Sequence, residues 1–306
     1  MPDAPAFRSG FISLVGWPNV GKSTLLNALL GTKLSIVSPR PQTTRDSILG
    51  ILNEPGAQMV FVDTPGWLNP QDTYQAFMKR AVVRSIYDDA DLLVWMVEPR
   101  PLGEEEKKFG GMLRKPGKPV CVVVNKIDTG EPSQGWAAME TEIKTVVGET
   151  APVLRVSARK GLGIDTLKST LRALLPEVPA YFPNDQLTDR WERFFVAELI
   201  REQIFQHFQQ EVPHAAAVAV QDFVERPGAK DHIKAVIFVE TEGQKGIMVG
   251  KSGEAIKKLG QTSRQEIEAR LGRPVFLELT VKLRKDWRKD PEFLKRLQSN
   301  DFDNLF

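Results

Sequence analysis

Cysteine is almost missing from this 306-residue chain. Cys121 stands alone, so no intrachain disulfide can form, as in a chain made for a reducing compartment. It sits in the apolar run Val120–Val124 and reads as a small buried hydrophobe, not a nucleophile. Histidine is scarce, and His207, His214 and His232 lack ligand spacing with each other or with carboxylates, which argues against a histidine metal centre. No apolar run approaches the roughly 18 residues of a membrane span. The first eleven residues hold no basic stretch followed by an apolar run, so no secretory leader is expected. Net charge is lacking too: 41 Lys and Arg against 39 Asp and Glu leave +2, so overall charge selects no partner. There are no repeats and no low-complexity tract. The expected setting is the cytosol, at most with a peripheral position at the inner face of the cell membrane, and the expected state is a monomer.

What is present is an alternation. Residues 11–16, 58–63, 91–97, 119–124 and 152–156 are short apolar runs, continuous rather than alternating, as in strands covered on both faces. Helical patterns fall between most of them, so the first part reads as a mostly parallel α/β sheet with helices on both faces. The pattern ends near Leu175. A proline-dense stretch, Pro176-Glu-Val-Pro-Ala-Tyr-Phe-Pro183, follows and reads as a linker. Beyond it a helix (190–208), two strands (215–225 and 232–241), two helices (244–249 and 254–271) and a last strand (274–285) make a smaller α+β module. The expected division is a nucleotide-binding domain over 1–178, a linker over 179–189 and a second domain with a tail over 190–306.

Gly16-Trp-Pro-Asn19-Val20-Gly21-Lys22-Ser23-Thr24 follows the first strand and opens a helix. This is the phosphate-loop pattern: glycines let the backbone fold round phosphates, and its N–H groups and the helix N-terminus face the negative charge. Lys22 is expected on the β- and γ-phosphates and the Ser23 hydroxyl on Mg²⁺. Asp63-Thr64-Pro65-Gly66 closes another strand; Asp63 can hold Mg²⁺ through water and the Gly66 amide can meet the γ-phosphate. Asn125-Lys126-Ile-Asp128 closes a third. A fixed carboxylate at Asp128 can accept two hydrogen bonds from guanine, a donor pair adenine lacks. Ser157-Ala158, after the next strand, suits a backbone amide to the guanine O6. Together these predict a GTP-binding and GTP-hydrolysing switch, since open α/β sheets bind ligands at strand C-termini.

With these motifs the first domain resembles translation-factor-like GTPases, and Pro41-Gln42-Thr43-Thr44-Arg45 resembles the first switch motif of the Era family. The resemblance implies that one of the two threonines closes on Mg²⁺; Thr44 is preferred, though the sequence does not separate it from Thr43. Many GTPases carry a water-orienting Gln directly after Asp-x-x-Gly, whereas this chain has Trp67. In related GTPases with an Asn at the position of Asn19, a K⁺ ion beside the phosphates supplies the charge, and the resemblance implies the same here.

Gly250-Lys251-Ser252-Gly253 lies between two expected helices, with Ile247 and Val249 before it and Ile256, Lys257, Lys258 and Leu259 after. It resembles the G-x-x-G loop of a type II KH domain, which clamps the backbone of single-stranded RNA. Between residues 243 and 289 there are 12 Lys or Arg against 5 Asp or Glu, so basic charge collects here, as a phosphate backbone would require. A GTPase domain followed by one KH module is the Era arrangement, and Trp287-Arg-Lys-Asp290 is similar to that family's ending. The resemblance implies GTP and GDP as ligands, small-subunit ribosomal RNA near its 3′ end as target, and a role in small-subunit assembly. The rival from another class is a signalling GTPase at a membrane surface whose C-terminal module binds a protein.

Overall fold

In the computed structural model, which describes residues 6–37 and 44–299, the apolar runs of the first half line up in one sheet. Its strands are β1 (Arg8–Gly16), β2 (Ile48–Glu54), β3 (Ala57–Asp63), β4 (Leu92–Val97), β5 (Val120–Val124) and β6 (Val153–Arg155), in the order β2-β3-β1-β4-β5-β6. All pairings are parallel except that of β2 with β3. Parallel neighbours need crossovers, here made with α1 (Lys22–Leu30), α2 (Thr73–Arg84), α3 (Glu104–Leu113), α4 (Trp136–Val147) and α5 (Ile164–Leu174). Every residue of β3, β4 and β5 is buried, which explains their continuous apolar character. The sequence reading misses β2, whose run is interrupted by Gly50 and ends on Asn53 and Glu54; pairing with β3 makes it a strand.

The stretch expected as a linker is strapped to this sheet. The Ile51 amide, on the outer edge of β2, donates to the Leu187 carbonyl at 2.8 Å. Gln58, fully buried, accepts the amides of Tyr181 and Phe182 on Oε1 at 2.8 and 3.0 Å and donates from Nε2 to the Phe182 carbonyl at 2.8 Å. The Tyr181 ring packs on Phe11 with centroids 5.0 Å apart. The strap covers an edge that would otherwise offer unpaired backbone groups to another strand. It belongs to the first compact unit, which runs to Asp189.

The second unit begins at Arg190 and also takes in Pro70–Ala76, although the chain on either side of that segment belongs to the first. It comprises α6 (Glu192–His207), α7 (Val212–Ala215), β7 (Ala217–Val224), β8 (Asp231–Val239), α8 (Glu242–Val249), α9 (Glu254–Leu271), β9 (Val275–Leu283) and α10 (Pro291–Ser299). β7 pairs antiparallel with β8, and β8 parallel with β9, leaving β9 at an edge. Alternation along the strands divides two cores. Val218, Val220, Ile233, Ala235 and Ile237 meet Ile200, Ile204, Leu259 and Ile267 of the helices. On the opposite face Ala217, Ala219, Val236 and Phe238 are covered by Trp287, Phe293 and Leu294, with Tyr74 packed alongside. Trp287 donates from Nε1 to the Ala215 carbonyl at 2.9 Å, and Arg288 is ion-paired with Asp72 at 2.5 Å. What reads as a tail in the sequence therefore completes the second core and holds the segment that follows the Asp-x-x-Gly motif.

Candidate functional site

The motif residues converge at the C-terminal ends of β1, β3, β5 and β6, round a cleft of about 670 Å³. The phosphate loop turns directly from β1 into α1. Gly21 at its end has φ of 100°, and a Cβ there would lie 2.3 Å from the Asn125 side-chain nitrogen, so only glycine fits. Lys22 is buried and donates from Nζ to the carbonyls of Trp17 at 3.0 Å and Gly16 at 3.3 Å. Burial pulls its pKa down to about 8, against the opposing attraction of Asp63. An ammonium held at that cost inside a cleft is stabilised by an anion.

Next to it three hard oxygens come together. Ser23 Oγ donates to Asp63 Oδ2 at 2.7 Å and lies 2.7 Å from Thr44 Oγ1, which is 3.5 Å from the same carboxylate oxygen. Burial pushes the Asp63 pKa up, while the Ser23 hydroxyl and Lys22 favour its charge. Its other oxygen, Oδ1, is buried without a hydrogen-bond partner, although the Ser35 hydroxyl is close enough to favour the anion. An orphaned carboxylate oxygen beside two hydroxyls fits a hard divalent cation. The structure brings Thr44 to Ser23 and Asp63; Arg45 is buried beside it, and Pro41, Gln42 and Thr43 lie outside the described residues.

At the other end of the cleft Asn125 is a brace. Its Nδ2 donates to the Val20 carbonyl at 2.9 Å and its Oδ1 accepts the Ala158 amide at 3.0 Å, tying three motifs together. Lys126, at φ of 66°, pairs with Glu98. Asp128 accepts the Ser157 hydroxyl on Oδ1 at 2.5 Å, and that bond holds its carboxyl below the usual range. A carboxylate fixed in this way has lone pairs left for a ligand with paired donors.

The Asp-x-x-Gly turn lies on the phosphate loop: the Trp67 amide donates to the Gly16 carbonyl at 2.9 Å, and Thr64 Oγ1 to the Leu14 carbonyl at 2.7 Å. The Trp67 ring packs on Phe109 at 4.6 Å, with Lys79 Nζ 4.6 Å above it, and Trp17 meets the same Phe109 at 5.6 Å. This aromatic wall was not foreseen in the sequence, where the three residues are far apart.

In the second unit, Gly250-Lys-Ser-Gly253 forms a single tight turn between α8 and α9. Gly250 has φ of 73°, and a Cβ there would lie 2.6 Å from that of Ala255. Lys251 and Ser252 are exposed at the tip. Ile256 and Lys257 lead from it into a groove of about 420 Å³. Ile247 is exposed on α8, and Val249 packs against the core. Lys258 lies away from the groove, near His207 of α6, whose pKa is lowered by burial and then by this lysine. Sequence reasoning missed the rest of the groove: Gly260, Gln261 and Arg264 of α9 and Phe276, Leu277 and Leu279 of β9. The fourfold spacing of Ile256, Gly260 and Arg264 on one helix face was the available signal.

Residues 11–126 match the model of the 50S ribosome-binding GTPase family and residues 211–288 that of the KH domain. The chain is 47% identical over 290 residues to GTPase Era of Lactobacillus delbrueckii subsp. bulgaricus, covering 95% of each chain. It is 45% identical to GTPase Era of Geobacter metallireducens, covering 97% of this chain and 99% of the other. Two solved structures superpose with a TM-score of 0.90 at 38% identity, over 97% of this chain and all of theirs: a variant of Aquifex aeolicus Era bound to GDP·AlF4⁻, and Era in complex with MgGDPNP and nucleotides 1506–1542 of 16S ribosomal RNA.

Proposed function

This chain belongs to the Era family of GTPases, and we propose that it couples the GTP cycle to binding of single-stranded RNA near the 3′ end of small-subunit ribosomal RNA during assembly of that subunit. The observation that carries the RNA reading is the Gly250–Gly253 turn opening onto a groove lined by Lys257 and Arg264. A relative solved with both MgGDPNP and 16S ribosomal RNA supports it.

The nucleotide roles follow from the cleft. Lys22 takes the β- and γ-phosphates in exchange for the Gly16 and Trp17 carbonyls, and their negative charge offsets the cost of burying its ammonium. Ser23 and Thr44, with Asp63 through water, hold Mg²⁺, which when bound supplies positive charge between the β- and γ-phosphates. Asp128, oriented by Ser157, selects guanine, with the Ser157-Ala158 turn beside its O6. Trp67 offers no acceptor to the attacking water, and its ring is engaged with Phe109 and Lys79. Asn19, which lines the cleft at φ of 64°, is the residue to hold K⁺, whose charge there would offset the one that develops on hydrolysis. Coupling to the RNA module runs along the chain itself. Gly66 lines the nucleotide cleft, and four residues on, Pro70–Ala76 is held within the second unit by Asp72–Arg288 and by Tyr74 on Trp287. A switch whose conformation depends on the γ-phosphate then bears on that segment.

The test is binding of an oligonucleotide with the 3′-terminal sequence of small-subunit ribosomal RNA, in GDPNP and in GDP. Replacing Lys251 and Ser252 together with Asp should lower RNA affinity at least tenfold and leave GTP hydrolysis without RNA unchanged. Unaltered RNA affinity would overturn the RNA reading, and equal affinities in the two nucleotides would overturn the coupling.

A further inference from the structure

The groove has one wall that the G-x-x-G loop does not explain. Phe276, on the edge strand β9, is 55% exposed, which is unusual for a phenyl ring flanked by half-buried and buried neighbours. It does not stand alone. His232 is its registered neighbour on β8, and the two rings lie stacked, with centroids 5.4 Å apart and planes at 11°. His232 is itself only partly exposed, with Nε2 3.9 Å from Glu278 on the same face of β9. A stack of rings on adjacent strands runs across the sheet, one ring per strand, at a repeat close to the strand spacing. One face of Phe276 is covered by His232. The other looks past the edge of the sheet, where no further strand follows among the described residues; alternation puts the ring on the face opposite α9, so Phe276 borders from the edge strand the groove that continues from the Gly250–Gly253 turn.

A flat apolar face at the end of a stack, on the strand that borders a groove also lined by the cations Lys257 and Arg264, fits a planar heteroaromatic group attached to a phosphate backbone. We infer that Phe276 is a stacking platform for one nucleobase of the bound RNA, the third layer of a His232–Phe276–base stack. The loop would hold the backbone and the platform one base, so the pair sets how many nucleotides separate the clamp from the stacked base. Stacking is tolerant of base identity because every base has a π face, so Phe276 contributes affinity and register rather than sequence choice. This inference rests on the RNA reading above.

The experiment uses the full chain with GDPNP and the same 3′-terminal oligonucleotide, carrying 2-aminopurine at each position in turn. In the wild type, fluorescence should be quenched at one position, downstream or upstream of the clamp by a fixed count. F276L keeps an apolar side chain on the strand but has no flat face. It should melt within a few degrees of the wild type, lose that quenching, and bind RNA about tenfold more weakly. F276W should retain both. An abasic site at the quenched position should weaken the wild type and leave F276L unchanged. If F276L binds and quenches like the wild type while the Lys251/Ser252 double variant loses RNA, the platform is wrong and the RNA reading stands. If the double variant also binds normally, the RNA reading itself has failed.

Discussion

Replacing Asn125 by alanine tests how the nucleotide cleft is held together. The side chain is 2% exposed and joins the phosphate loop to the Ser157-Ala158 turn through two bonds of 2.9 and 3.0 Å. Truncation leaves the Val20 carbonyl and the Ala158 amide without these partners, in residues 3% and 6% exposed. Each orphaned buried group costs about 1–3 kcal/mol, so the pair costs about 2–6 kcal/mol. In the nucleotide-free protein the two loops can part and hydrate these groups, and only part of the cost falls on stability. Binding forces the loops back round phosphate and base, and the remainder appears as lost affinity. A remainder of about 2–3 kcal/mol is a fall of about 30- to 150-fold in GTP affinity. Asn125→Asp should be worse near neutral pH, because it keeps the acceptor for Ala158 but turns a carboxylate oxygen on the Val20 carbonyl. The assay is titration of a fluorescent guanine nucleotide, alongside thermal melts with and without nucleotide. A GTP affinity within threefold of wild type for Asn125→Ala would refute the reasoning and leave the base end of the cleft held by other contacts.

Other outcomes follow from the same cleft. Asp128→Asn keeps an oxygen for the Ser157 hydroxyl but presents an amide to the base, so preference should move from GTP to xanthosine triphosphate; competition binding checks it, and retained GTP preference would break the base assignment. Lys22→Met should abolish GTP binding yet raise nucleotide-free stability at pH 7, by at most about 3 kcal/mol for a pKa lowered from 10.5 to about 8, less the lost attraction to Asp63. The sign is that of a base depressed by folding: the unfolded chain binds more protons between pH 8 and 10.5, so wild-type stability rises across that window and the variant's does not. Hydrolysis should be faster in K⁺ than in Na⁺ at matched ionic strength for the wild type, with little difference for Asn19→Ala; equal wild-type rates would remove K⁺ from the site.

Much of this protein is determined by its sequence alone, for local reasons. A phosphate loop is a contiguous run between one strand and one helix, so Gly16 to Ser23 announces both its chemistry and its place. The same holds for Asp63–Gly66, Asn125–Asp128 and the Gly250–Gly253 turn, each set by a few adjacent residues at an element's end. The strands of the first sheet are legible because burial on both faces leaves an unbroken apolar run. What only the tertiary structure decided depends on residues brought together from far along the chain. The proline-rich stretch looks like a linker by composition, yet Gln58 and Ile51 bind it to the sheet edge. Residues 70–76 look like part of the first domain by position, yet Trp287 and Arg288 hold them in the second. Thr44 meets Ser23 and Asp63 only once the chain has folded, and Asn125 becomes a brace because its amide lies between two loops. Phe276 stands in a strand like any other aromatic residue until the register of β8 and β9 lays it on His232 at an open edge. Hydrophobic pattern and loop chemistry are local and can be read in order; register and long-range pairing come into being only when the chain closes on itself.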